Sequence, residues 1–312
     1  MSPSPSRRLA ALLTGAALAL LAGCDSSSDS GSDGSSAQEP AASSKVTVVA
    51  STNVYGDMAR QIGGAEVDVT SIISDPDQDP HSYEADTQNQ LALSKAKVVI
   101  ENGGGYDDFV DRMLKSSNSS ADVINAVKVS GRTAPKGGEL NEHVWYDFPG
   151  VSRIADSVAA ALGRADPDDA AAFAKNAATF KAELQPLEAK EAEIKKEHGG
   201  EGVAITEPVP LYMLDAAGLV NRTPEEFSEA IEEGDDVSPK ILQATLAVFS
   251  GREVKALVYN EQTAGPQTDK AKAAAKAAGI PVVPVTETLP KGKDYLGWMT
   301  ANVDALASAL AK

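Results

Sequence analysis

The sequence predicts an α/β fold in which two parallel-sheet lobes are joined by a long rigid helix. Three observations carry this expectation. Each half of the chain alternates short apolar runs with segments of helical period, the pattern of parallel strands connected by crossover helices. Between the halves lies an unusually long helical stripe: Phe173, Ala177, Phe180, Leu184, Leu187 and Ile194, with Glu191 as its only break. The chain has 312 residues, enough for two ordinary cores.

The first residues read as a targeting segment. Arg7 and Arg8 precede an apolar run over 9–21 that ends in Leu21-Ala22-Gly23-Cys24. That run is too short to span a bilayer comfortably and has the basic flank of a secretory leader. Its ending resembles a bacterial lipobox, which implies cleavage after residue 23 and lipid attachment to Cys24. Residues 25–44 hold no large apolar side chain and read as a flexible tether. The expected layout is a leader over 1–23, the lipidated Cys24 and tether over 24–44, a first lobe over 45–166, a linking helix over 167–199 and a second lobe over 200–312.

In the first lobe, residues 46–50 form a strand, and 53–62 a helix closed by Gly63-Gly64. Residues 67–73 form a second strand, which runs into Asp79-Pro80-His81-Ser82-Tyr83-Glu84. A helix over 87–94, a strand over 97–101, a helix over 107–114 and a strand over 122–125 complete the alternation. Gly103-Gly104-Gly105 lacks the spacing and the following Lys-Ser/Thr of a phosphate loop and reads as a tight turn. A Pro/Gly-containing linker leads to Asn141-Glu142-His143-Val144-Trp145-Tyr146-Asp147 and a helix over 151–162. The long helix over 168–197 would measure about 45 Å, and Pro186 inside it predicts a kink or local break. His198, at its end, reads as structural.

In the second lobe, the strand over 202–206 places Glu207 at its carboxyl end, and a helix over 209–217 stops at Gly218. Residues 225–234 are acidic and read as a solvated segment. Ser238-Pro239 caps a helix running to Phe249. The strand over 254–259 empties into Asn260-Glu261-Gln262-Thr263. A helix over 268–278, a strand over 280–285 and a helix over 295–310 close the lobe.

Composition narrows the chemistry. The net charge of −17 opposes nucleic acid and anionic membrane surfaces as partners. The single cysteine excludes an intramolecular disulfide and a cysteine metal site. The chain holds three histidines, and two of them, His81 and His143, sit in similar contexts with an aromatic residue two positions on. Ligands in parallel α/β sheets sit beyond the strand carboxyl ends. His81, His143, Glu207 and Glu261 all fall in such loops, two from each half. Two imidazoles with one or two carboxylates suit a borderline divalent ion such as Zn²⁺, Mn²⁺ or Fe²⁺.

At these residues the chain resembles the zinc/manganese solute-binding lipoproteins of bacterial ABC importers. The likeness runs through Ile62-Gly63-Gly64, Pro80-His81-Ser82-Tyr83-Glu84 and Leu93-Ser94-Lys95-Ala96-Lys97 with its Asn102-Gly103 turn. It continues through His143-Val144-Trp145-Tyr146-Asp147, the long helix, the strand ending at Glu207, and Val237-Ser238-Pro239-Lys240. The resemblance implies two α/β lobes on a rigid helix, with the metal site in the inter-lobe cleft. It makes His81 and His143 the first-lobe ligands and puts Glu207 where members carry His or Glu. At the fourth position the chain departs from the pattern. Thr263 and Ala264 align with the members' acid, leaving Glu261, another loop group or a water. The implied function is a monomeric, lipid-anchored receptor on the outer face of the cell membrane. It would capture Zn²⁺ or Mn²⁺ and deliver the ion to an importer permease, without turnover and without nucleic acid. The alternatives are a metal-dependent surface adhesin and, opposed by the lack of an H-E-x-x-H motif or nucleophile elbow, a metallohydrolase.

Overall fold

Two parallel sheets of the same strand order build the molecule, each a doubly wound half with a switch point near its middle. The structure is a computed structural model, and it describes residues 45–75, 83, 86–117 and 119–312. The expected leader, Cys24, His81 and Glu84 lie outside the described residues.

In chain order the first lobe comprises β1 (Val46–Thr52), α1 (Asn53–Gly63), β2 (Val67–Ile73), α2 (Thr87–Lys95), β3 (Val98–Glu101), α3 (Asp108–Ser117), β4 (Asp122–Asn125), α4 (Ala126–Ser130) and α5 (Phe148–Ala165). The linking helix is α6 (Ala170–His198). There follow β5 (Gly202–Ile205), α7 (Leu211–Ala216), β6 (Val220–Asn221), α8 (Glu225–Glu232), α9 (Pro239–Ser250), β7 (Leu257–Asn260), α10 (Pro266–Ala277), β8 (Val282–Val285) and α11 (Tyr295–Leu310). The sheet orders are β2-β1-β3-β4 and β6-β5-β7-β8, with every pairing parallel. In each sheet the chain reverses direction of travel between the two central strands. The residues leaving β1, β3, β5 and β7 therefore face the crevices where ligands bind.

The strands are short β-branched runs because both faces are covered. β3 and β5 are buried at every position, as expected of parallel strands sandwiched by helices. The glycine triplet after β3 is a tight turn: Gly103, Gly104 and Gly105 all have positive φ, at 75°, 74° and 107°. Asp107 closes it by accepting from the backbone N–H groups of Asn102 and Gly103 at 2.6 and 2.7 Å.

The expected break at Pro186 is not found, and α6 continues through it. The physical reason is a balance of magnitudes. Proline inside a helix costs about 3 kcal/mol. Burying one Phe, Leu or Ile side chain contributes roughly 1.5–3 kcal/mol, and the α6 stripe buries Phe173, Phe180, Leu184, Leu187 and Ile194. Pro186 itself is exposed, so its ring displaces nothing in the core. The helix packs on α1 and α5 from the first lobe and on α7 and α11 from the second. A single apolar cluster runs from Val48 and Ile100 through Phe180 and Tyr295 to Val258, and the described residues belong to one compact unit. Among the described residues no helix is long and apolar enough to cross a membrane.

Candidate metal centre

His143 sits in the loop that connects α4 to α5 and begins a single 3₁₀ turn over Val144–Tyr146. It is fully buried, at 0 % exposure. Trp145 and Tyr106 wall the imidazole, with ring centroids 5.0 and 6.0 Å away and both rings edge-on. The loop is carried by the exit of β3, where Asn102 Nδ2 donates to Glu142 O at 3.0 Å.

Asn141 decides which ring nitrogen faces the cleft. Its Nδ2 donates to Pro208 O at 3.1 Å, which turns Oδ1 toward the histidine. Oδ1 then accepts from the His143 backbone N–H at 3.1 Å and from Nδ1 at 2.7 Å. The proton belongs on Nδ1, leaving Nε2 as the cleft-facing nitrogen, the arrangement by which outer partners orient metal-binding histidines. Tyr212 adds a bond from the second lobe, its hydroxyl donating to Asn141 O at 2.6 Å.

Three carboxylates from the second lobe converge on this histidine. Glu232, the last residue of α8, brings Oε1 to 3.5 Å from Nε2, and Glu287, two residues beyond β8, brings Oε2 to 3.8 Å. Glu207 follows Thr206 at the exit of β5, is 2 % exposed, and is linked to Glu287 through Asn260. The Asn260 side chain donates from Nδ2 both to Glu207 Oε2 and to Glu287 Oε1, the latter at 2.8 Å.

Electrostatics mark this group as short of positive charge. Burial, and then the charge of Glu287, push the Glu207 carboxyl up to about 7, against the opposing pull of Thr263, Asn260 and His143. For His143, burial alone would lower the imidazole. The hydrogen bond to Glu287 and the charges of Glu232, Glu142 and Glu287 outweigh it and raise the ring above its ordinary value. Buried carboxylates repelling one another around a histidine are the setting in which a divalent cation relieves desolvation and repulsion together. Glu142, His143 and Glu232 also place ligand atoms within 4.8 Å of one another. Outside them opens a cleft of about 670 Å³, lined by Glu139, Glu142, Glu225, Glu229, Glu232 and Glu233 among others, with no lysine or arginine in its lining. Its field favours cations.

Not every expected residue joins the group. Glu261 is exposed, its backbone N–H donating to Val285 O at 3.0 Å. Successive residues leaving a strand alternate sides, so the inward position belongs to its buried neighbour Asn260. His81 is not described, but Tyr83 of the same loop packs on Phe109 with centroids 5.0 Å apart. Asp147 turns away and holds Arg132 through two bonds of 2.8 and 2.6 Å. His198 ends α6, with Nδ1 3.2 Å from Glu201. Glu287 and Glu232 carry no site expectation from sequence, and Asn141 and Asn260 stand in the quoted motifs without a role. Glu207 directly follows the fully buried β5, whereas Glu287 lies two residues beyond the half-exposed β8, where no such local signal marks it. Glu232 belongs to the segment read as solvated, yet its side chain is only 15 % exposed.

Comparison with known proteins adds a lineage to this geometry. A family model described as ZnuA, zinc-uptake complex component A, periplasmic, matches residues 48–309. The manganese-binding lipoprotein MntA of Bacillus subtilis is 32 % identical over 151 residues, which is 47 % of this chain and 49 % of that protein. The manganese ABC transporter substrate-binding lipoprotein scaA of Streptococcus gordonii is 24 % identical over 293 residues, covering 86 % and 90 % of the two chains. Among solved structures, the periplasmic zinc-binding protein TroA from Treponema pallidum superposes with a TM-score of 0.73 at 20 % identity, over 86 % of this chain and all of that one.

Proposed function

The chain belongs to the family of zinc-uptake complex component A proteins, and from that premise we propose that it is an extracytoplasmic receptor for a divalent transition metal. It captures Zn²⁺ or Mn²⁺ as cargo and hands it to the permease of an ABC importer, binding without turnover. Cys24 carries the lipid anchor to the outer face of the cell membrane. The observation that carries the reading is the buried meeting of His143 Nε2 with carboxylates from the opposite lobe.

The ligand set we propose is His81, His143, Glu207 and Glu287, with Glu287 in the place first expected of Glu261. Glu287 is fully buried, close to His143 and tied to Glu207 through one amide, whereas Glu261 is exposed. Two neutral imidazoles and two carboxylates together match the charge of a 2+ ion. Relatives named as zinc and manganese binders support a divalent-ion cargo.

Elemental analysis and calorimetry on the purified protein test the reading. One divalent ion per chain is expected. His81→Ala, His143→Ala and Glu287→Gln should each weaken binding by tenfold or more, on the order of one lost ligand, and Glu261→Gln should bind as the parent does. Undiminished metal content in His143→Ala would sink the proposal. Loss in Glu261→Gln with Glu287→Gln intact would return the fourth position to Glu261.

A further inference from the structure

The group that holds the two carboxylates apart also dictates how each can meet an ion. Asn260 ends β7 beside the switch point of the second sheet and is buried. Its orientation is fixed from two sides. The backbone N–H donates to Thr206 Oγ1 at 2.9 Å, and Oδ1 accepts from the Gln262 N–H at 3.2 Å. With the oxygen committed to Gln262, the NH₂ group faces the site, and its two hydrogens go to Glu207 Oε2 and Glu287 Oε1. Gln262 braces the same loop again, accepting from the Glu287 and Thr288 N–H groups at 2.5 and 3.2 Å and donating to Thr288 Oγ1 at 2.9 Å.

One oxygen of each carboxylate thereby accepts from a neutral amide, which leaves the other oxygen of each as the stronger donor to a cation. On the side of Glu287 this is Oε2, the oxygen facing His143. Carboxylates constrained in this way favour binding through a single atom. With the imidazoles of the proposed ligand set, two such carboxylates would supply four donors, the number that Zn²⁺ adopts. Harder ions such as Mn²⁺ favour octahedral, oxygen-rich coordination and gain from carboxylates that can supply both oxygens.

We propose that Asn260 is a selectivity-determining positioning residue. By holding Glu207 and Glu287 in one-oxygen binding, it biases the site toward four-coordinate Zn²⁺ and against Mn²⁺. The proposal rests on the reading that these two glutamates hold the transported ion. Asn260 does not touch the ion itself; it acts through the two glutamates.

Competition titration of Zn²⁺ against Mn²⁺ tests this in the parent protein, Asn260→Ala and Asn260→Ser. Serine has a single hydroxyl hydrogen and can restrain only one carboxylate; it also serves as the measurable variant should the alanine variant fail to fold. Outer-partner changes commonly alter metal affinity about 10–100-fold. The expected result is a fall of about tenfold or more in the Zn²⁺/Mn²⁺ affinity ratio of Asn260→Ala, with Asn260→Ser between it and the parent. Equal loss for both ions, with the ratio unchanged, would show only general support of the site and overturn the proposal. A ratio that moves toward Zn²⁺ would overturn it too. Failure of the parent and variants alike to bind either ion would instead remove the functional reading beneath it.

Discussion

Replacing Glu191 with glutamine should stabilise the metal-free protein at neutral and mildly alkaline pH and do little in acid. Glu191 lies on the buried stripe of α6 between Leu187 and Ile194 and is 4 % exposed. Its Oε1 has no hydrogen-bond partner among the described residues. Burial first, then the charges of Glu188 on its own helix and Asp147 ahead of α5, push its carboxyl from the ordinary 4.5 up to about 8. The cavity it lines, about 460 Å³, also holds Glu188, Lys195, Arg132, Tyr212 and Asp215. Arg132 cannot rescue it, being committed to Asp147 by two bonds and laid over the Tyr212 ring at 4.7 Å.

The sign follows from proton binding. Between pH 4.5 and about 8 the folded protein keeps this proton while the unfolded chain has released it. Stability therefore falls as pH rises through that window and is level on either side. One pKa unit is worth about 1.4 kcal/mol, so the cost at pH 7 is about 3 kcal/mol before water in the cavity is allowed for, and about 1–3 kcal/mol after. Glutamine keeps the shape and removes the titration. Urea unfolding with chelator present, at pH 4.5, 6, 7 and 8, should give parent and variant midpoints that diverge steadily toward alkali. Parallel curves would refute the reasoning, because they would mean that the Glu191 carboxylate is as well solvated folded as unfolded.

Three further outcomes are expected. Asn141→Ala removes the acceptor of His143 Nδ1 together with the bond to Pro208 O, so calorimetry should show metal affinity reduced about 10–100-fold with the helical content unchanged. Pro186→Ala restores a backbone donor at an exposed point of an unbroken helix and should stabilise by about 1–3 kcal/mol in thermal melts. Chelating the metal should leave the far-ultraviolet circular dichroism intact, because the apolar core joins both lobes without using the site. The melting temperature should fall as expected for loss of a bound ligand, by the equivalent of about 2.7 kcal/mol if metal had been present at a hundred times its Kd.

How much of this was legible depends on how local each signal is. Most strand runs, the helical stripe of α6 and the Ser238 cap, whose hydroxyl accepts from Ile241 N–H at 3.4 Å, are properties of neighbouring residues and stand near where expected; β6 is not among the expected strands, and β7 starts at Leu257 where residue 254 is expected. Glu207 was visible because an acid ending a buried strand is a local contradiction. Glu287 escaped because Thr286-Glu287-Thr288 looks like an ordinary polar turn; what buries it is distant, the Tyr146 hydroxyl donating to Thr286 O at 2.9 Å across 140 residues. Glu232 escaped because Glu225–Glu232 is acidic along its length, and only the packing of Phe227 beneath it selects which acids face inward. The break expected at Pro186 is absent for the converse reason, a strong local signal overruled by the buried face of the same helix. Glu261 and Asn260 show the limit most directly: one residue of register separates an exposed acid from a buried amide bonded to both Glu207 and Glu287.

The bonds that bury Glu287 also bear on how the site is prepared for its ion. Asn53, which opens α1 in the first lobe, donates from Nδ2 to Leu289 O and accepts from Leu289 N–H, at 3.0 and 2.8 Å. Tyr146 holds Thr286 from the same side, and Tyr295 donates to Trp145 O at 2.5 Å. The Glu287 loop, although it follows a second-lobe strand, is thus fastened to the first lobe on both sides of the carboxylate. Glu207 stays on the second lobe, braced by Asn260. Histidine and carboxylate positions are fixed by backbone and amide bonds that need no metal to form, so the ordering of these side chains is completed on folding. Binding an ion then costs less conformational entropy than it would in a site assembled from loose side chains. Under the proposed ligand set, the buried repulsion between Glu207 and Glu287, which folding alone leaves in place, is what a bound cation would remove.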